Sequence, residues 1–190
     1  MREPPPRDEG LGLLVIRAQS GDLEAFEAIY GRLAPAVFRH LSHVTGDASI
    51  AEDVLQDTFV IVFRKLRWLR EPSMVRPWVY RIATREAVRR TTARRREGAW
   101  QLTDAEWVRV EELSRQPPDR VRLTRQARDA IGQLPALSRA VLSLHYLESL
   151  PLPAVAALLD VPVGTVKSRL AFGLNRVRRL LGVARTSEER

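Results

Sequence analysis

Apolar residues recur at helical spacing along most of the 190-residue chain, and no alternation of period two lasts long enough to specify a strand. An all-α fold is expected: two small helical domains joined by a flexible acidic linker. Asp22 stands at an N-cap position ahead of Leu23, Phe26, Ile29, Tyr30 and Leu33, and Pro35 is expected to start or kink the next segment toward His43. Asp47 caps a run to about Trp68. Along it Val54, Leu55, Thr58, Phe59 and Val62 form one face, and Asp53, Gln56, Asp57 and Arg64 the opposite one. Pro72 and Pro77 bracket a loop, after which a third helix runs from about Pro77 through Arg94, Arg95 and Arg96. Four more helices are predicted over 121–132, 135–148, 152–159 and 163–181.

Between the two sets the character changes. Glu97, Asp104, Glu106, Glu111, Glu112 and Asp119 face only Arg109 and Arg115, and Pro117-Pro118 closes the stretch. The predicted organisation is an N-terminal tail over 1–20, a first domain over 21–96, a linker over 97–120, a second domain over 121–183 and a C-terminal tail over 184–190. Residues 1–10 are proline-rich and charged, and the apolar run 11–16 is too short for a secretory core or a membrane span. A cytoplasmic location is expected.

The most specific local pattern lies in 155–169. Small Ala156 lets two helices approach, Val155, Leu159, Val161 and Val166 supply a shared core, and Val161-Pro162 ends a turn before a second helix. That is helix-turn-helix spacing. The turn favours glycine, and here Asp160 fills it, a residue that tolerates positive φ better than most. Pro151 and Pro153 are acceptable only in the first turn of the preceding helix. The second helix then offers Thr165, Lys167, Ser168 and Arg169 near its N-terminal end, where a recognition helix meets bases and phosphates.

Charge sharpens this picture. The chain is +8 overall, and only Lys65 and Lys167 among its 31 basic residues are lysines, so guanidinium groups supply the positive charge. From Arg64 to Arg96 there are twelve basic residues against Glu71 and Glu86. A polyanionic partner is implied. On the third helix Trp78, Arg81, Arg85 and Arg89 fall at i, i+3, i+7 and i+11, a stripe of indole and guanidinium suited to locally melted DNA. A basic helix on an anionic membrane is the weaker fit, because Tyr80, Ala83 and Ala87 make a poor apolar face.

Catalysis is not indicated. The chain has no cysteine, which removes disulfides and thiolate metal sites. His40 and His43 at i, i+3 and the lone His145 are the remaining metal candidates, and Asp53 with Asp57 lacks a third ligand nearby in sequence. No cofactor is expected, and the acidic stripe Asp53, Gln56 and Asp57 is better read as a protein-binding face.

Three segments in this order resemble the extracytoplasmic-function sigma factors of the sigma-70 family: 51–59 (AEDVLQDTF), 77–83 (PWVYRIA) and 163–170 (VGTVKSRL). The resemblance covers residues 21–183. It implies a first domain that binds core RNA polymerase through Asp53, Gln56 and Asp57, and engages the minus-10 element with Arg76, Trp78, Arg81, Arg85 and Arg89. In the family the loop matching 69–76 captures a flipped promoter base. The second domain would read the minus-35 duplex through Thr165, Lys167, Ser168, Arg169 and Phe172. Ala171 and Phe172, with Gly173 next, stand where the family usually places a larger or polar side chain and then a basic one. An anti-sigma protein is the further partner implied. The rival reading is a polymerase-independent helix-turn-helix regulator, which leaves the Trp–Arg stripe unexplained.

Overall fold

The structure, a computed structural model, describes residues 10–92 and 125–180, and every regular element in them is helical. The predicted linker, with Trp100 and Trp107, lies outside the described residues. The chain divides into two compact units, residues 1–90 and 91–190.

The first unit comprises α1 (Leu11–Gln19), α2 (Leu23–Thr45), α3 (Ala48–Lys65), 3-10 turns at Leu66–Trp68 and Pro72–Met74, and α4 (Val75–Thr92). Both predicted aspartate caps are present. Asp22 accepts from Ala25 N at 3.0 Å, and Asp47 accepts from Ser49 N at 2.8 Å and Ile50 N at 3.1 Å, satisfying amides that α2 and α3 leave without intrahelical partners. Between them Gly46 ends α2 at φ 72°, in the left-handed region that glycine enters without steric cost. Ile29, Leu33, Val37, Leu41 and Val44 of α2 bury a continuous stripe against Ala51, Val54, Phe59 and Val62 of α3. Each buried Val, Leu, Ile or Phe among them stabilises the fold by about 1.5–3 kcal/mol.

Two expectations change here. Residues 11–19, assigned to the N-terminal tail, form α1: Leu11 and Val15, one turn apart, are buried and seat the helix on α2. Pro35 starts no new segment but lies inside one 23-residue helix. It lacks only the N–H that would reach the Gly31 carbonyl, and the buried stripe on either side keeps the helix continuous.

The second unit comprises α5 (Arg125–Gly132), α6 (Ala136–Leu142), a π-turn at Ser143–Leu147, α7 (Leu152–Leu159) and α8 (Val163–Leu180). The helix predicted over 135–148 therefore widens in its last turn. Glu148 N donates to Ser143 O at 3.1 Å, and Leu150 N to Leu144 O at 3.1 Å. His145 Nδ1 donates to the Leu150 carbonyl at 2.8 Å, so this histidine closes a helix end. Arg139 is buried, and its Nη1 donates to the carbonyls of Gly132 at 2.9 Å and Leu134 at 2.7 Å, capping α5. Asp160 takes the turn position at φ 59°, and its N–H and that of Val161 both reach Ala156 O. Gly173 lets α8 approach α6: a Cβ there would stand 3.0 Å from Leu142 Cδ1 and 3.5 Å from Leu134 Cδ1.

Candidate nucleic-acid interface

α4 is two-sided. Val75, Val79, Tyr80, Ala83, Thr84 and Ala87 are buried, at the i, i+4, i+8, i+12 spacing of a helix seated on a core. His40 of α2 links that helix to α4, meeting Thr84 and the ring of Tyr80. The Thr84 hydroxyl donates to the Tyr80 carbonyl at 2.7 Å and accepts from His40 Nε2–H at 2.8 Å, which fixes a proton on Nε2. Burial, with a smaller contribution from His43, pushes His40 from 6.5 down to about 3. His40 thus serves the core rather than a metal, and among the described residues no three His, Cys, Asp or Glu side chains cluster.

The opposite side of α4 carries the predicted stripe. Arg76, Arg85 and Arg89 are exposed, while Trp78 and Arg81 are half-buried. Arg89 Nη2 lies 2.5 Å from Glu86 Oε2, and this hydrogen bond, with the carboxylate's charge, raises the guanidinium above its ordinary value. A phosphate contact by Arg89 has to compete with Glu86.

The predicted carboxylate pair has an unpredicted partner. Arg90 of α4 reaches across to α3, placing Nη2 2.5 Å from Asp57 Oδ2 and Nη1 3.4 Å from Asp53 Oδ2. Asp53 remains 63% and Asp57 49% exposed, and Gln56 beside them is exposed. The acidic face of α3 and the cationic helix α4 are thereby joined through Arg90. Sequence reasoning counted Arg90 only as one more cation, because nothing local reveals a contact 33 residues away.

The loop 69–76 leaves α3 through the first 3-10 turn and enters α4 through the second. Gln19 of α1 donates its side-chain amide to Leu66 O at 2.9 Å and Leu69 O at 2.8 Å. Gly12 packs beside Pro72, its Cβ position 3.8 Å from the proline ring. Arg70, Glu71, Ser73 and Met74 are exposed along the loop.

In the second unit Val166, Leu170, Ala171 and Gly173 turn α8 inward, whereas Thr165, Lys167, Ser168, Arg169 and Phe172 are half-buried and Arg176, Arg178 and Arg179 exposed. Ala171, a departure from the sigma pattern, and Gly173 beyond it are buried and face the core. The Ser168 hydroxyl donates to Thr165 O at 2.8 Å, so within the isolated fold it offers a ligand its lone pairs.

A cation-faced helix in one helical unit and a helix-turn-helix in the other define a DNA-binding transcription factor. Residues 29–97 match the Sigma-70 region 2 family, and residues 124–177 match Sigma-70 region 4. An RNA polymerase sigma-H factor of Pseudomonas aeruginosa is 32% identical over 166 residues, spanning 83% of this chain and 86% of that protein. An ECF RNA polymerase sigma-E factor of Escherichia coli strain K12 is 30% identical over 169 residues, spanning 83% and 87%. Two solved structures share the fold at 22% identity. CnrH in complex with the cytosolic domain of CnrY has a TM-score of 0.63, covering 92% of this chain and 99% of that one. RpoE in complex with the anti-sigma factor NepR from Bartonella quintana has a TM-score of 0.61, covering 84% and 98%. The chain belongs to the extracytoplasmic-function group of the sigma-70 family, whose members are transcription-initiation factors and not enzymes. No helix among the described residues is long and apolar enough to cross a membrane.

Proposed function

We propose that the protein binds core RNA polymerase through Asp53, Gln56 and Asp57, reads the minus-35 duplex with α8, and holds the melted minus-10 element on α4 and the 69–76 loop. The observation that carries this is the division of α4 into a buried Val/Ala/Tyr face and a Trp78–Arg81–Arg85–Arg89 face. A helix needs no partly exposed indole and guanidinium stripe to fold, whereas unpaired bases and their phosphates are bound by these two kinds of group. On α8, Lys167 and Arg169 supply phosphate or base contacts at the N-terminal end, and Thr165, Ser168 and Phe172 line the same helix. The domain boundaries that fit this division are 21–96 and 121–183, joined by the acidic linker, with α1 added to the first domain.

An anti-sigma protein is the third partner, since RpoE, a sigma factor of similar fold, was solved with the anti-sigma factor NepR. The site of action is the cytoplasm, where polymerase and promoter DNA are. The test is to add the purified protein to core polymerase on genomic DNA and sequence transcript 5′ ends. A discrete set of new start sites, each preceded by shared minus-35 and minus-10 sequences, is the expected result. Sequence-specific footprints formed without polymerase, and no new start sites, would instead establish an autonomous helix-turn-helix regulator.

A further inference from the structure

The 3-10 turn Leu66–Trp68 presents an aromatic side chain that neither the core nor the sites above employ. Trp68 is 60% exposed, although an indole would ordinarily bury most of its surface. The Arg67 guanidinium carbon lies 4.1 Å from the centroid of its ring. The turn beneath is held at both ends: Leu66 is buried, Leu69 N donates to Leu66 O at 3.0 Å, and the Gln19 amide donates to the carbonyls of both Leu66 and Leu69. Trp68 sits between those two latched carbonyls. Its backbone is fixed while its ring stays in water, the arrangement in which stacking costs little ordering entropy.

The surroundings select the occupant. Residues 64–70 include Arg64, Lys65, Arg67 and Arg70, all exposed, and no acidic residue. Four exposed cations within the seven residues that carry the indole suit a polyanion that also offers a flat π-face. Duplex DNA keeps its π-faces stacked inside, so only an unpaired strand meets both demands. We infer that Trp68, stacked with Arg67 on the turn latched by Gln19, is a stacking platform for an unpaired DNA base, additional to Trp78. The inference rests on the reading that this protein holds melted promoter DNA.

The test uses holoenzyme on promoter fragments with a premelted bubble, comparing wild type with Trp68→Ala and Trp68→Phe, and scanning single abasic substitutions along the unpaired strand. Trp68→Ala should dissociate about 5- to 150-fold faster, the equivalent of the ~1–3 kcal/mol contributed by one stacked base, and Trp68→Phe should recover most of the lifetime. One abasic position should shorten the wild-type lifetime by the same factor and have no further effect on Trp68→Ala. Equal lifetimes for wild type and Trp68→Ala would overturn the platform, as would a loss that no abasic position masks. Weakened assembly with core polymerase in the absence of DNA would overturn it too, by placing Trp68 on a protein. If wild-type holoenzyme binds the bubble no better than core alone, the reading of promoter opening itself fails, an outcome separate from any effect of the substitution.

Discussion

Arg90 and Asp57 form an ion pair 2.5 Å long between α4 and α3, tying the helix proposed to hold DNA to the face proposed to bind polymerase. The pair is partly exposed, and such pairs contribute about 0–1 kcal/mol. Its interest lies in how it separates charge substitutions. Asp57→Arg sets two guanidinium groups against each other and should lower stability by about 1 kcal/mol. Asp53 is more exposed and 3.4 Å from Arg90, so Asp53→Arg should melt near the wild-type temperature yet fail to co-purify with core polymerase. Arg90→Ala should lose at most about 1 kcal/mol and retain polymerase. Unchanged co-purification of Asp53→Arg would remove the acidic face from the interface.

His40 makes the first unit sensitive to acid. Its folded-state value, about 3, lies below the ordinary 6.5. Below pH 6.5 the unfolded chain takes up a proton that the folded one refuses, so protonation favours unfolding. The His40 contribution is intact above pH 6.5 and declines toward pH 3 by up to about 1.4 kcal/mol per pH unit. Urea titrations at pH 7.5, 6.5 and 5.5 should show this slope, and His40→Gln should flatten it while lowering stability at pH 7.5 by loss of a shaped core residue. An identical slope in the variant would assign the acid sensitivity to other groups.

Gly173 tests the packing under the helix-turn-helix. Replacing glycine in a helix interior returns about 1 kcal/mol of propensity, but here a new Cβ meets Leu142 Cδ1 at 3.0 Å. Gly173→Val adds further atoms in that direction and should cost about 1–3 kcal/mol net, seen as a lowered melting temperature. A stabilised variant would mean that α6 and α8 are not closely packed at this point.

What the sequence made legible was local. Asp22, Asp47 and Asp160 each satisfy backbone groups within a few residues of themselves, so caps and the helix-turn-helix turn could be read from spacing alone. The stripe on α4 is periodic and equally visible. Contacts between distant segments were not. Arg90 reaches 33 residues back to Asp57, Gln19 reaches 47 and 50 residues forward to Leu66 and Leu69, and His40 meets Thr84 44 residues away. Helix α1 is not legible in the sequence, because nine residues with two buried anchors look like an apolar fragment beside a charged tail. Arg139 shows the limit of counting cations, since its guanidinium is consumed by backbone carbonyls and adds nothing to a DNA-facing surface.

On α8, Lys167→Ala and Arg169→Ala should each weaken holoenzyme binding to minus-35 duplex. Where the lost contact is to phosphate, affinity falls across sequences and the slope of log K against log salt shrinks by about one unit. A base contact would relax sequence preference at one position, costing about 1–3 kcal/mol there. Affinity and slope both unchanged would place the N-terminal half of α8 off the DNA.

Capture of melted promoter DNA by α4 within holoenzyme is read out by the permanganate reactivity of thymines near the start site. Opening a duplex costs about 1.4 kcal/mol per base-pair step, and stacked bases return about 1–3 kcal/mol each. Removing cations beside Trp78 should therefore impair opening before it impairs binding. Arg81→Ala combined with Arg85→Ala is expected to form the closed complex, lose thymine reactivity on duplex promoters, and regain transcription at least partly on premelted templates. Normal opening by the double variant, or failure to form any closed complex, would contradict the role assigned to this helix.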